Sequence, residues 1–295
     1  MPARKSTTKT AVLKTARNFL DTVDRAALRS QLLTWYRTQG RDLPWRRTRD
    51  PYAIWISEIM LQQTQVKTVI PYYTRWLQTF PAIPALAAAD QQQILKAWEG
   101  LGYYARARNL HRAAQHIVTE HGGEFPTTFE QVVALPGIGR TTAGGILSAA
   151  YNQPWAILDG NVKRILARLV GLDRPPNRAL PLLWHLSEAL LPTQDARDFN
   201  QALMDLGATL CTRHRPACGQ CPWQPHCRAY AHNLQSELPM TETRGPLPHK
   251  QIGVAVVWNP AGQILIDRRL QSGLLGGLWE FPGGKIEPGE SAEDC

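Results

Sequence analysis

The chain has 295 residues, 43% of them hydrophobic, which suffices for a buried core in one large domain or two to three smaller ones. No apolar run approaches the length of a membrane-spanning helix and the N-terminus carries no apolar signal core, so neither membrane association nor export is expected. A net charge of +9 and a pI of about 9.5 favour a polyanionic partner, with DNA or RNA first in line.

Residues 1–20, MPARKSTTKTAVLKTARNFL, are basic and contain no acid. Residues 1–23 are predicted to be a solvated tail, an organellar transit peptide being the lesser alternative. From Asp24 to Ala231 the pattern is helical, with no convincing strand. Leu28, Leu32, Leu33 and Trp35 recur at helical spacing, as do Ile94, Leu95, Trp98 and Leu101, and Ile165, Leu166, Leu169 and Val170. Breaks rich in Pro and Gly separate the segments: FPAIP, EGLGYY, HGGEFP, LPGIG and LDRPP.

Within AIWISEIMLQQTQVKTVIPYY, Glu58 interrupts an apolar stretch, and Ile54, Trp55 and Leu61 share its helix face. Such a Glu either reaches solvent at the edge of the face or sits in an apolar pocket. There, burial would raise its pKa and let it act as a general acid. Gln62 and Gln63 follow one turn later. In GLGYYARARN, Tyr103 and Tyr104 sit beside Arg106 and Arg108, an arrangement suited to base stacking with phosphate contacts, or else to core packing beside a solvated face.

In LPGIGRTTAGGILSAA, residues 135–150, Gly137 and Gly139 flank Ile138 ahead of a small-residue helix. Glycines there permit positive φ, and the helix start offers N–H groups and a dipole to an anion such as a DNA phosphate. This is the pattern of a helix-hairpin-helix; the alternative is a tight turn that binds nothing. In ILDGNVKRILARL, Asp159 is placed to cap a helix and remain ionised. With Glu58 in such a pocket, Glu58 and Asp159 would be one neutral and one charged carboxyl, the division of labour that glycosidic cleavage through a cationic sugar needs.

Cys211, Cys218, Cys221 and Cys227 are spaced C-x6-C-x2-C-x5-C. Three unequal gaps in one compact loop suit a [4Fe–4S] cluster, whereas zinc, with His214 or His226 as ligands, is the competitor. Cys295 is read as a bystander. Residues 232–249 read as a linker. Beyond it, IGVAVVWNPAGQILIDRR alternates around a turn at Asn259–Gly262 and is predicted to be a β-hairpin. The expected protein is mainly α over roughly two hundred residues, followed by the start of an α/β or β domain.

LPGIGRTTAGGIL, LDGNVKR and the cysteine spacing together resemble the helix-hairpin-helix DNA glycosylase superfamily with an iron–sulfur loop. SEIMLQQTQV and GLGYYARARN narrow the resemblance to the adenine DNA glycosylases, the MutY family, over about residues 25–231. The resemblance implies a two-lobed helical fold and removal of adenine mispaired with 8-oxoguanine or guanine in double-stranded DNA, as base excision repair. It implies Glu58 as the acid that protonates the base at N7, Asp159 as stabiliser of the oxocarbenium charge, and Asn161 as a residue that holds the catalytic groups. Arg46 in DLPWR matches an adenine-pocket position, while Gln63 (with Gln62 before it) and Tyr103 match residues that wedge into the duplex while adenine is flipped out. Gly137, Gly139 and Thr141 belong to the DNA-binding hairpin. The four cysteines match the cluster ligands, fixing a basic loop with Arg213 and Arg215, and Lys163 and Arg164 add charge elsewhere. Thr141 stands where strand-cutting relatives carry a Schiff-base lysine, so little or no lyase step is expected. A monomer in the bacterial cytoplasm, associated with the nucleoid, is the expected setting.

LWEFPGGKIEPGES resembles the start of a Nudix box, with Gly284 and Glu290 in its spacing. Residues 250–295 are therefore expected to be a Nudix-like domain cut short before its metal-binding carboxylates, with a weakened preference for 8-oxoguanine. A DNA-binding iron–sulfur protein without catalysis is the competing class, disfavoured because paired carboxylates would repel phosphate. A pyrimidine-specific relative is disfavoured by Thr141 and the QQTQ segment.

Overall fold

In the computed structural model the described residues are 18–242, 245, 248–270 and 275–295. Positions 1–17 of the predicted tail, and four of the predicted linker, lie outside them. Capping side chains start several of the helices. After the single turn α1 (Phe19–Thr22), Asp24 accepts from the N–H groups of Ala26 and Ala27 and opens α2 (Arg25–Gln39). Asp50 does the same for α3 (Pro51–Met60), where Pro51 occupies the first position and its missing N–H has no helical partner to lose. α4 (Val66–Thr79) and α5 (Ile83–Ala88) follow, and a capping box of Asp90 and Gln93 opens α6 (Gln91–Trp98). Next come α7 (Ala105–His121), α8 (Phe129–Ala134), α9 (Arg140–Tyr151), α10 (Gly160–Val170), α11 (Leu180–Leu190), α12 (Ala196–Asp205) and the short α13 (Arg228–Ala231). Directly after Asp205 the helix widens into a π-turn, Leu206–Leu210, a rare geometry that recurs at functional sites.

The helices enclose two cores. The first is built from residues 43–150, with Trp55, Trp76 and Trp98 fully buried. The second joins Leu28 and Leu32 of α2 to residues 156–223, including Val162, Phe199 and Trp223. α9 packs on α3 of the first core and on α12 of the second, so one helix bridges both. Its small residues permit this. A β-carbon on Gly144 would lie 2.5 Å from the Ala156 carbonyl oxygen, so only glycine lets the two backbones approach. No helix among the described residues is long and apolar enough to cross a membrane.

Three sequence expectations are amended. Phe19, placed in the solvated tail, is buried in the second core, with Arg228 over its ring. Leu234 and Leu238, placed in the linker, are buried with Ala229. The predicted hairpin keeps its turn, where Asn259 Oδ1 accepts from the N–H groups of Ala261 and Gln263, but its arms diverge. Only Trp258 and Ile264 bridge beside the turn. β1 (Ile252–Val254) pairs antiparallel with β4 (Gly283–Lys285), and β2 (Asp267–Arg268) with β3 (Trp279–Glu280). Gly283 allows the first pairing, because a β-carbon there would stand 2.2 Å from the Gly253 carbonyl oxygen. All strands among the described residues lie in this C-terminal segment, and the rest is helical as the apolar spacing requires.

Candidate active site

A cavity of about 420 Å³ opens between the two cores, with Trp45, Arg46 and Glu58 on one wall and Asp159, Asn161 and Gln201 on the other. Residues more than a hundred positions apart thus face one space.

Glu58 projects from α3 toward α9. Its carboxyl fits there because residue 145 has no side chain: a β-carbon on Gly145 would lie 2.8 Å from Glu58 Oε2. Burial pushes the Glu58 carboxyl up to about 7, the charge of Asp159 adds to the rise, and Arg46 opposes it. At neutral pH this group can therefore carry a proton and give it away.

Asp159 is the cap of α10. Its Oδ1 accepts from the Val162 N–H at 2.8 Å and its Oδ2 from Asn161 Nδ2 at 3.1 Å. Asn161 is held in turn: Arg164 Nη2 donates to its Oδ1 at 2.8 Å, and the backbone of the π-turn passes beneath it, where a β-carbon on Gly207 would stand 2.6 Å from Asn161 Cβ. Arg164 also donates to the carbonyls of Gly207 and Cys211. This side chain, expected among the free basic groups, is internal scaffolding that links the cavity to the first cysteine.

Arg46 lies on the cavity wall as expected, but its charge is already engaged. Nη1 and Nη2 each donate to the Asp205 carboxylate at 2.8 Å, and Nε donates to Gln201 Oε1 at 2.8 Å. Asp205 is fully buried and also accepts from the backbone N–H and the Nε of Arg41. Burial pushes the Asp205 carboxyl up, yet the hydrogen bonds and charge of Arg46, together with the Arg41 donors, outweigh it and hold the carboxyl below its ordinary range.

Gln63 and Tyr103, the expected wedge residues, are exposed and share an unusual backbone, with φ of 57° and 47°. Non-glycine residues seldom occupy this left-handed region, and such strain clusters at functional loops. Gln62 points instead to α9, where its Nε2 donates to Thr142 Oγ1 at 3.3 Å. Arg106 corrects the sequence reading outright. Its side chain is buried rather than aimed at phosphate, and it donates to the carbonyls of Ile59, Met60, Gln62, Leu101 and Gly102. Arg108 donates to the Gly276 carbonyl.

In the hairpin, Gly137 has φ of 79°, and a β-carbon on it would stand 2.7 Å from Asn109 Cβ. Gly139 departs from expectation: it caps α9 with φ of −99°, a backbone open to any residue. Thr141 sits half-buried in the first turn of α9.

The four clustered cysteines are free thiols, and Cys211, Cys221 and Cys227 lie half-buried against the second core. Burial pushes Cys221 up to about 12 and Cys227 up to about 11, with neighbouring cysteine charges adding to the rise. Opposing it, the N–H of Trp223 donates to Cys221, and those of Tyr230 and Ala229 to Cys227. Buried Arg168 places Nη1 3.4 Å from Cys211 Sγ and donates to the carbonyls of Thr212, Arg213 and Leu238. Four thiols in mutual electrostatic reach, with N–H donors aimed at sulfur and a buried cation beside one, fit a four-thiolate cluster. Among the described residues no three His, Cys, Asp or Glu side chains, these cysteines included, are already gathered around a single ion. Arg213 and Arg215 are exposed on this loop.

Sequence reasoning missed Asp205, Gln201, Gly145 and Arg168. Asp205 carried a usable signal, a lone acid in the apolar run ALMDLGATL, the same signal that exposed Glu58.

Residues 56–185 match the HhH-GPD superfamily of base excision DNA repair proteins, and residues 253–295 match the NUDIX domain. An adenine DNA glycosylase of Mus musculus is 39% identical over 92% of the chain, which spans 63% of that relative's length. One from Buchnera aphidicola subsp. Baizongia pistaciae is 39% identical over 85% of the chain, and the match covers 72% of that protein. Among solved structures, a thermostable thymine-DNA glycosylase superposes with a TM-score of 0.65 and 32% identity, covering 70% of this chain and 96% of that one.

Proposed function

The chain belongs to the adenine DNA glycosylase family, and from that premise we propose that it hydrolyses the N-glycosidic bond of adenine mispaired with 8-oxoguanine or guanine in double-stranded DNA. One observation carries this reading: Glu58 and Asp159 face a single cavity, one buried enough to hold a proton near neutrality and the other tied to a helix start.

In this reading adenine leaves the base stack and enters the cavity. Glu58 protonates it at N7, which turns an anionic leaving group into a neutral one. Asp159 stabilises the positive charge that develops on the sugar, and Asn161 holds Asp159 in place. Arg46 lines the base pocket with its donors fixed in direction. Gln63 and Tyr103, on strained exposed loops, fill the gap left in the duplex, with Gln62 supporting the first of these loops. Gly137, Gly139 and Thr141 approach the phosphate backbone at the start of α9. Thr141 has no amine with which to form a Schiff base, so the product is an abasic site rather than a cut strand.

Cys211, Cys218, Cys221 and Cys227 would hold a [4Fe–4S] cluster, whose contribution is to order the loop carrying Arg213 and Arg215 against DNA. Hydrolytic depurination moves no electrons. The NUDIX-like segment would contact the base opposite adenine.

The test is single-turnover adenine release from duplexes carrying adenine opposite 8-oxoguanine, adenine opposite guanine, and thymine opposite guanine, with and without alkali, beside Glu58→Gln. Release of adenine that needs alkali to show as strand cleavage, and that vanishes in the variant, supports the proposal. The resemblance to a thymine-DNA glycosylase makes release of thymine the alternative outcome. Tight binding without release would identify a catalytically idle binder.

A further inference from the structure

We propose that Asp205 is a positioning residue for base excision: its carboxylate locks the Arg46 guanidinium against the cavity wall and neutralises it there, so that Arg46 acts as an oriented donor rather than a free cation beside Glu58. The proposal rests on the reading of Glu58 as the general acid.

The geometry is specific. Arg46 meets Asp205 with two parallel bonds, Nη1 to Oδ2 and Nη2 to Oδ1, both 2.8 Å long. Such fork-to-fork pairing fixes the plane of the guanidinium as well as its position. Of the other Arg46 donors, Nε goes to Gln201 and Nη1 additionally to the Arg41 carbonyl, which leaves the second N–H of Nη2 as the donor held in a fixed direction. Asp205 has no exposed surface, so no water can substitute for these partners. Its place in the chain is equally constrained. It is the last residue of α12, where the helix widens into the π-turn, and Thr209 Oγ1 donates to its carbonyl at 2.8 Å. The same π-turn carries Gly207 beneath Asn161. One local irregularity therefore sets both the Arg46 wall and the Asn161 wall of the cavity.

Glu58 faces Arg46 from the Pro44–Arg46 turn and Asp159 from the start of α10, whereas α9 presents Gly145 to it. Arg41 and Lys67 line the same cavity, and Arg106 binds the carbonyls of Ile59 and Met60 at the end of α3. An unneutralised Arg46 would favour the Glu58 carboxylate and remove the proton that the reaction needs. Two arginines share one carboxylate here, so removing either sign of charge must move Glu58 in opposite directions.

The experiment titrates Glu58 in the full chain by ¹³C NMR of labelled glutamate carboxyls, assigned by difference against Glu58→Gln. It runs beside the pH dependence of single-turnover adenine release. In Asp205→Asn the Glu58 midpoint and the alkaline limb of release are expected to move to lower pH by about one unit. In Arg41→Gln, which leaves Arg46 as the one cation bonded to the Asp205 carboxylate, both are expected to move to higher pH. Asp205→Glu, which keeps the charge, is expected to stay with the wild type. General loosening of the fold would not produce shifts of opposite sign. An unmoved midpoint in Asp205→Asn overturns the proposal, as does an unmoved midpoint in Arg41→Gln should Asp205→Asn fail to fold. If the wild type releases no adenine, the functional reading fails while the titration still decides the role of Asp205.

Discussion

Arg106 donates to the Gln62 carbonyl at 2.6 Å, and with the same guanidinium holds Leu101 and Gly102, so one buried cation fastens the two loops that display Gln63 and Tyr103. The left-handed backbones at both tips are strained conformations, and the shared anchor beneath them offsets the cost. Arg106→Lys keeps the charge but loses the fork, leaving several buried carbonyls without donors. We expect it to lower stability by about 2–3 kcal/mol in urea titrations and to weaken binding of mispaired duplex more than binding of a single strand.

Because burial lifts the Glu58 carboxyl to about 7, the rate of base release should be level at mildly acidic pH and fall through one deprotonation as pH rises past about 7. Stability carries the matching signature. A carboxyl whose folded pKa lies above its unfolded value stabilises the fold most at low pH and loses that contribution as pH rises through the folded pKa. Glu58→Gln, which cannot ionise, should therefore gain in Tm over the wild type between pH 5 and pH 8, as differential scanning calorimetry at each pH would show.

Gly145→Ala should separate chemistry from folding. The new methyl would stand 2.8 Å from Glu58 Oε2, and the flexible end of the glutamate, not the helix, is what can yield. A helix interior gains up to about 1 kcal/mol when Gly becomes Ala. We expect an unchanged or higher Tm together with slower release and an alkaline limb moved to lower pH, since the displaced carboxyl becomes better solvated.

Cys221→Ser should abolish cluster loading, read as loss of iron from about four per chain. Cys295→Ser should leave the iron content as it was. Loss of iron in the first variant should weaken duplex binding, with its salt dependence reduced as Arg213 and Arg215 lose their fixed loop.

Much of the site was legible because its chemistry is local. A carboxylate inside SEIMLQQ, a cap in LDGNV and four cysteines in one loop announce themselves by type and spacing. Arg106 misled because its neighbours in sequence are aromatic and basic, while its partners are carbonyls that only folding gathers. Asp205 stood out as a lone acid in an apolar run, but what it pairs with was hidden for a related reason. Its partner Arg46 lies 159 positions away, and no periodicity encodes a pairing across two cores. Gly139 shows the converse, a glycine whose motif position suggested a strained turn and whose backbone turned out ordinary. The hairpin arms diverged because pairing between strands depends on which backbones can approach, and Gly283 offered β1 a closer partner than its neighbour in sequence did.

The cavity has one wall from each core, and α9 runs between them like the spacer in a calliper. Its aperture is therefore set by packing throughout both halves, including layers that touch no substrate. Substitutions deep in either core can leave the protein folded yet alter the gap between the Glu58 and Asp159 walls. Sequence variants of this chain should accordingly be judged by the span from Glu58 to Asp159 as well as by melting temperature.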